Sequence, residues 1–264
     1  MEKHSKAYGT GRRRALDARK RKESSRQSVL VYVSTRRPRR RGLWAAITFL
    51  CLIGAAVVIR RILALWPVVL HGYRPPALQA NPALVQFAAL DDIFARHALL
   101  TLVHILPGLL FVTLGPLQFS SSLRARHPMW HRVSGRVFLC AALTIGISAF
   151  LMSFVMPAIG GPVQASATAI FSAYFLLSLG KAFWHIRRRE IARHRRWMIR
   201  AFSTGIAVAT IQPIVGIFFA TSRFTGLTPR EFFGFAFWIG FLLHLVLTER
   251  WLGSNASERD LAAA

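Results

Sequence analysis

The stretch His194–Ser222 reads HRRWMIRAFSTGIAVATIQPIVGIFFATS. Its opening carries Arg195, Arg196, Arg200 and Trp197, and from Ala201 to Ser222 there is no charged residue. A helix needs roughly 20 apolar residues to cross the hydrocarbon core of a bilayer. Arginine and tryptophan at one end of such a run mark a membrane–water interface, and arginine marks the cytoplasmic one. This stretch therefore predicts a membrane helix with a basic collar, and it leaves open whether His194 works or merely belongs to the collar.

The whole chain has the same character. Its 264 residues carry a formal net charge of +25, yet 53% are hydrophobic, and the mean hydropathy is +0.39. A soluble nucleic-acid binder spreads Lys and Arg over a globular surface. Here long stretches carry none and the basic residues cluster between them, so no specific nucleic-acid partner is expected. Cys51 and Cys140 both lie in apolar segments without a second Cys at metal-ligand spacing, and are read as packing residues.

Six segments approach spanning length: Leu43 to about Ile59, Ala98 to Phe119, Val133 to Met156, Gln164 to Trp184, Ala201 to Ala220 and Phe232 to Leu247. Arg60 and Arg61 are expected to end the first and to snorkel to the far interface. Residues 1–41, with GRRRALDARKRKESSR and STRRPRRRG, read as a mostly disordered basic tail. They resemble no secretory signal, so the first helix is expected to stay attached. Residues 42–251 then form the transmembrane domain, and residues 252–264 a short tail. SSSLRARHPMWHR and HIRRREIARHRRWMIR are basic and fall on the same side as the tail, whereas PAIGGPV and TSRFTGLTPRE carry few charges. This asymmetry predicts both termini in the cytoplasm and a bacterial inner-membrane location, with the bilayer as partner and anionic headgroups at the basic face.

A weak internal repeat joins the middle helices. TLGPLQF with RHPMWHRVSGR, and SLGKAFW with RHRRWMIR, each run Leu-Gly, an aromatic, a basic loop, then His-Arg. The predicted fold is all-α: six transmembrane helices with a central four-helix bundle made of two similar hairpins.

Candidate chemistry falls at two levels. His104, Gly108, Phe111, Gly115 and Gln118 share one helical stripe, with glycines that allow close approach, so His104 is expected to point into the bundle. There it either hydrogen-bonds a Ser, Thr or carbonyl of a neighbouring helix or serves a cofactor or proton relay. At matching depth the other helices offer Phe150 to Met152, Ser172, Ile214 and Trp238, none a histidine, so a bis-histidine haem at that level is not supported. At the basic level His131 and His194 hold equivalent places in the two hairpins, near His185 and His127, with His244 about two turns deeper. The pair would suit a metal or haem, and the arginines Arg132, Arg136 and Arg200 would suit an anionic group such as a haem propionate, a phosphate or a lipid headgroup. PAIGGPV is a turn and not a phosphate loop, and no Ser-His-Asp pattern would be assembled.

HILPGLLFVTLGPLQF, LRARHPMWHRVSGRVF and RHRRWMIRAFS together resemble the motifs of bacterial membrane proteins grouped as domain of unknown function 2306. The resemblance spans about residues 98–220 and maps the family signature onto His104, Gly108, Gly115, Gln118, Phe119, Arg124, His131, Arg132, Gly135, Arg136, His194, Trp197, Met198 and Arg200. It implies an integral membrane protein with no established activity. The chain departs from the family pattern at Ile211 and Gln212, where an arginine is common, and at His244, where an amide is.

Three functions follow. The first is a redox or haem-associated membrane protein using His104 and the His131/His194 pair, with Gln118 and the arginines around an anionic cofactor or quinone-level partner. The second is a small-solute or lipid transporter with a cavity lined by His104, Gln118 and Gln212. The third is a non-catalytic subunit that binds lipid or partner proteins through its basic face.

Overall fold

The computed structural model describes the backbone of residues 41–72 and 91–263, and side chains as far as Gly253 and Ser254. The basic tail, residues 1–40, and the segment 73–90 lie outside the described residues. The helices are α1 (Arg41–His71), a short α2 (91–96), α3 (Ala98–Phe119), α4 (Ser121–Arg126), α5 (Pro128–Val155), α6 (Gly161–Arg187), α7 (Ile191–Thr225) and α8 (Pro229–Ala263). No strand occurs among the described residues. Six of the helices are long and apolar enough to cross a membrane.

Local chemistry sets the helix ends. Pro128 opens α5, Pro162 lies in the first turn of α6, and Pro229 opens α8. At these positions the absent N–H has no helical partner to lose. Ser120 caps α4 by accepting from the Leu123 N–H at 3.2 Å. Gly226 ends α7 in the left-handed conformation, φ 67°.

Residues 41–49 are helical. From Leu50 onward the residues form one unit. Here the expectation for α1 is corrected, because the helix does not stop at Arg60 and Arg61 but runs through them to His71. Arg61 is 7% exposed. It pairs with Asp91 of α2 and lies over the Phe94 ring, 4.0 Å from its centroid, while Arg60 reaches the same carboxylate at 3.1 Å. A paired and stacked guanidinium is tolerated where a bare one would have to snorkel.

Two hairpins, α3–α5 and α6–α7, pack together along α5 and α6, and α8 lies against α6 and α7. Phenylalanines fill the centre. The Phe111 ring of α3 stacks on Phe138 of α5 at 4.9 Å and meets Phe175 of α6 and Phe202 of α7 at 5.8 and 5.5 Å. Glycines make room for them reciprocally. A Cβ on Gly205 of α7 would lie 2.6 Å from Phe111, and a Cβ on Gly115 of α3 would fall on the Phe202 ring. Each helix thus presents a ring to the other's glycine. Gly108, on the same stripe as Gly115, has open space at its Cβ position and admits no close neighbour.

A second packed cluster joins α6, α7 and α8 through Ala167, Phe171, Ala207, Ile211, Ala236 and Phe241. Phe171 and Phe241 stack at 4.6 Å. At the far end the Trp238 indole N–H donates to the Val163 carbonyl at 3.1 Å. The outward faces are as apolar as the interior, with Phe154 70% and Ile217 64% exposed, as a helix in lipid requires.

The two glycines of α3 make a paired test. Gly115→Ala must move Phe202, which is hemmed in by Phe111, Phe119 and Phe138, and should destabilise the bundle by about 1–3 kcal/mol. Gly108→Ala meets nothing and should be neutral or stabilising by up to about 1 kcal/mol. Unfolding of both variants in detergent micelles measures the contrast.

Candidate functional site

The basic end is built from two equivalent helix starts. His131 is the fourth residue of α5 and His194 the fourth of α7. The α6–α7 turn is short and tied down. Arg189 takes φ 60°, in the left-handed region. Glu190 meets the His185 ring Nδ1 at 2.7 Å and accepts from Arg193 at 3.1 Å. These contacts, that from His185 foremost, hold the Glu190 carboxyl below its ordinary range.

This turn folds the first residues of α7 back on α6, so that His194 Nδ1 lies 2.9 Å from the Ala182 carbonyl. A carbonyl only accepts, so Nδ1 carries the proton and the lone pair of the neutral ring sits on Nε2. His131 is half-buried, and its Nδ1 is enclosed without a hydrogen-bond partner among the described residues. Arg124 and His194 are the titratable groups within electrostatic reach of it. His131 and His194 thus hold matching positions at two helix starts.

One turn deeper on α5, the Gln118 amide donates to Ser134 at 2.7 Å and Ser134 donates to the Trp130 carbonyl at 2.6 Å. The Gln118 oxygen lies 3.0 Å from where a Cβ on Gly135 would be, so the glycine seats the amide. Arg132 and Arg136 are exposed on α5 and form no ion pair among the described residues. Arg200 stands apart from this group. Its guanidinium forms a two-point pair with Glu249 of α8 at 2.6 and 2.7 Å. It also lies over the Trp197 ring at 4.6 Å and within hydrogen-bond reach of Tyr174 of α6.

His104 is separate again. Its Nδ1 is 2.9 Å from Ser148 Oγ on α5. The Ser148 hydroxyl donates to the Thr144 carbonyl at 2.6 Å, leaving the imidazole N–H as the donor to Ser148. Of the two readings open for His104, the structure realises the hydrogen bond to a neighbouring helix. The partner lies half a turn from the residues 150–152 expected at that depth. His104 and Gln118 lie about 21 Å apart along α3 at the usual rise per residue, and Gln212 is exposed, so the three do not line one cavity.

His244, which sequence patterning does not join to the site, has both ring nitrogens engaged. Nδ1 meets Ser203 Oγ at 3.2 Å and Nε2 meets Thr210 Oγ1 at 2.8 Å, both on α7. Thr248 donates to the same Ser203 hydroxyl at 2.6 Å. Hydroxyls donate or accept, so either neutral tautomer and the imidazolium all fit. The signal was present as spacing: Ser203 and Thr210 recur at i, i+7 on α7, and His244 and Thr248 at i, i+4 on α8. Only the register of the two helices shows that they meet.

Helix lengths, lipid-facing apolar surfaces and internally satisfied polar groups define a multi-pass α-helical membrane protein. Residues 101–252 match the family described as Predicted membrane protein (DUF2306), and the chain belongs to that family. The match takes in α3 to the membrane part of α8 and every residue of the candidate site, while α1 lies outside it. No curated protein and no solved structure matches the chain.

His244→Gln keeps a donor and an acceptor toward the hydroxyls and should unfold close to wild type. His244→Leu strands Thr210 and leaves Ser203 only its bond from Thr248, and should lower stability by about 1–2 kcal/mol. Equal losses in the two variants would show that ring volume, and not hydrogen bonding, matters there.

Proposed function

We propose that the protein holds an anionic redox cofactor, haem b in the most specific form, at its basic end between His131 and His194. The observation that carries the reading is the pair itself. The His194 ring is fixed by its bond to Ala182 and keeps Nε2 for a ligand, while His131 has an enclosed, unpartnered Nδ1 within electrostatic reach of His194. A backbone carbonyl on one ring nitrogen is the usual way a protein orients an imidazole for metal ligation and strengthens it as a donor. Two imidazoles would suffice to hold a haem, so the absence of a cluster of three or more metal-ligating groups among the described residues does not weigh against it.

The remaining residues divide by what is free. Arg124, Arg132 and Arg136 are exposed beside His131 and would take the propionates. Arg200 is committed to Glu249; Gln118, bonded to Ser134, and His104, bonded to Ser148, are helix-to-helix ties. The loop charges favour an orientation with the basic end and both termini in the cytoplasm and anionic headgroups at that face, in a bacterial inner membrane.

The experiment is an absorption spectrum of the detergent-purified full chain, as isolated and after haem supplementation. A low-spin Soret spectrum is expected, lost in both His131→Ala and His194→Ala and retained in His104→Gln. No Soret band, or one that survives both substitutions at the basic end, overturns the assignment.

A further inference from the structure

A groove with a different chemistry opens between α6 and α7. It measures about 480 Å³ and is lined by Leu177, Gly180, Lys181, Trp184 and His185 of α6 and by Trp197 of α7. On α6 the larger residues recur at i, i+4, i+7 and i+8, a single stripe of the helix. Gly180 opens its floor, because a Cβ there would meet nothing within 4 Å.

Cations bound the groove, each held by a tryptophan. Lys181 Nζ lies 4.6 Å from the Trp197 ring and the Arg188 guanidinium 4.2 Å from the Trp184 ring. Stacking keeps a charge in place while leaving its donors free for an anion. Neither cation has an ion-pair partner among the described residues, and the carboxylates of the adjoining turn and of α8 are occupied elsewhere: Glu190 by His185 and Arg193, Glu249 by Arg200. Toward the membrane interior the groove turns apolar, with Leu177 52% exposed and one helical turn, about 6 Å, deeper than Lys181.

A positive, aromatic-framed mouth that gives way to an apolar floor has the polarity of a phospholipid lying along the helix. We propose that this groove binds one anionic phospholipid, with the phosphate at Lys181 and Arg188 and an acyl chain over Gly180 and Leu177. The proposal rests on the reading that the basic end stands at headgroup level. It is independent of any cofactor at His131 and His194.

Native mass spectrometry of the full chain, released from detergent micelles after incubation with phosphatidylglycerol, counts the lipids retained. Wild type should keep one phosphatidylglycerol in preference to phosphatidylcholine. Lys181→Ala and Arg188→Ala should each weaken retention about fivefold, as expected for one cation near a membrane surface. Gly180→Phe should abolish it by filling the floor, whereas Arg126→Ala, on α4, should leave it unchanged. Three outcomes each overturn the site: equal retention of phosphatidylcholine; retention that survives Gly180→Phe; or glycerol phosphate competing as well as the lipid, which would make it an anion site without an acyl chain. The Soret spectrum of Lys181→Ala should match wild type, so failure here and failure of the cofactor reading are told apart.

Discussion

Phe111 of α3 sits on Gly205 of α7, and Phe202 of α7 sits on Gly115 of α3. This reciprocal fit joins the two hairpins across the centre of the molecule. In lipid the hydrophobic effect gives helices no reason to associate, since acyl chains are as apolar as leucine, and close packing has to hold them instead. A glycine under a ring gives a large contact and a short approach at one point. With Phe138 and Phe175 completing the box, four helices converge on one layer of rings, and the positions of their ends follow. Phe202 is two turns from His194 on α7, and Phe138 two turns from His131 on α5. The spacing of the basic-end histidines is therefore inherited from the aromatic layer beneath them.

Most polar groups inside the bundle find a partner on a neighbouring helix or on their own backbone. His104 reaches Ser148, Gln118 reaches Ser134, and His244 reaches Ser203 and Thr210. Ser134 and Ser148 also bond their own helix four residues back, which fixes them as receptors for the incoming side chain. Among the described residues the enclosed Nδ1 of His131 and the buried hydroxyl of Ser178 are the exceptions.

The six spans and their pairing into hairpins were legible in the sequence, because an uncharged run of some twenty residues bounded by arginine and tryptophan is stable in few settings besides a bilayer. The equivalence of His131 and His194 was legible in a similar way, as a repeated loop-to-helix pattern. The end of α1 was misplaced because Arg60 and Arg61 resemble an interface until their partner is known, and Asp91 is thirty residues away with no spacing rule to connect it. Gly108 and Gly115 share a stripe, yet only Gly115 meets a ring. Periodicity tells which way a residue faces, not what stands opposite at that height. The His244 network was hidden by the same limit, since it depends on the register of α8 against α7.

The reciprocal fit is tested most directly by a double-mutant cycle between Phe111→Leu and Gly205→Ala, read as unfolding free energy in detergent micelles. A methyl on Gly205 overlaps the Phe111 ring, so Gly205→Ala should be costly beside phenylalanine and much milder beside leucine, giving a coupling of about 1 kcal/mol or more. Effects that add to within about 0.5 kcal/mol would mean that the two residues do not touch, and would contradict the packing on which the arrangement of the basic end depends.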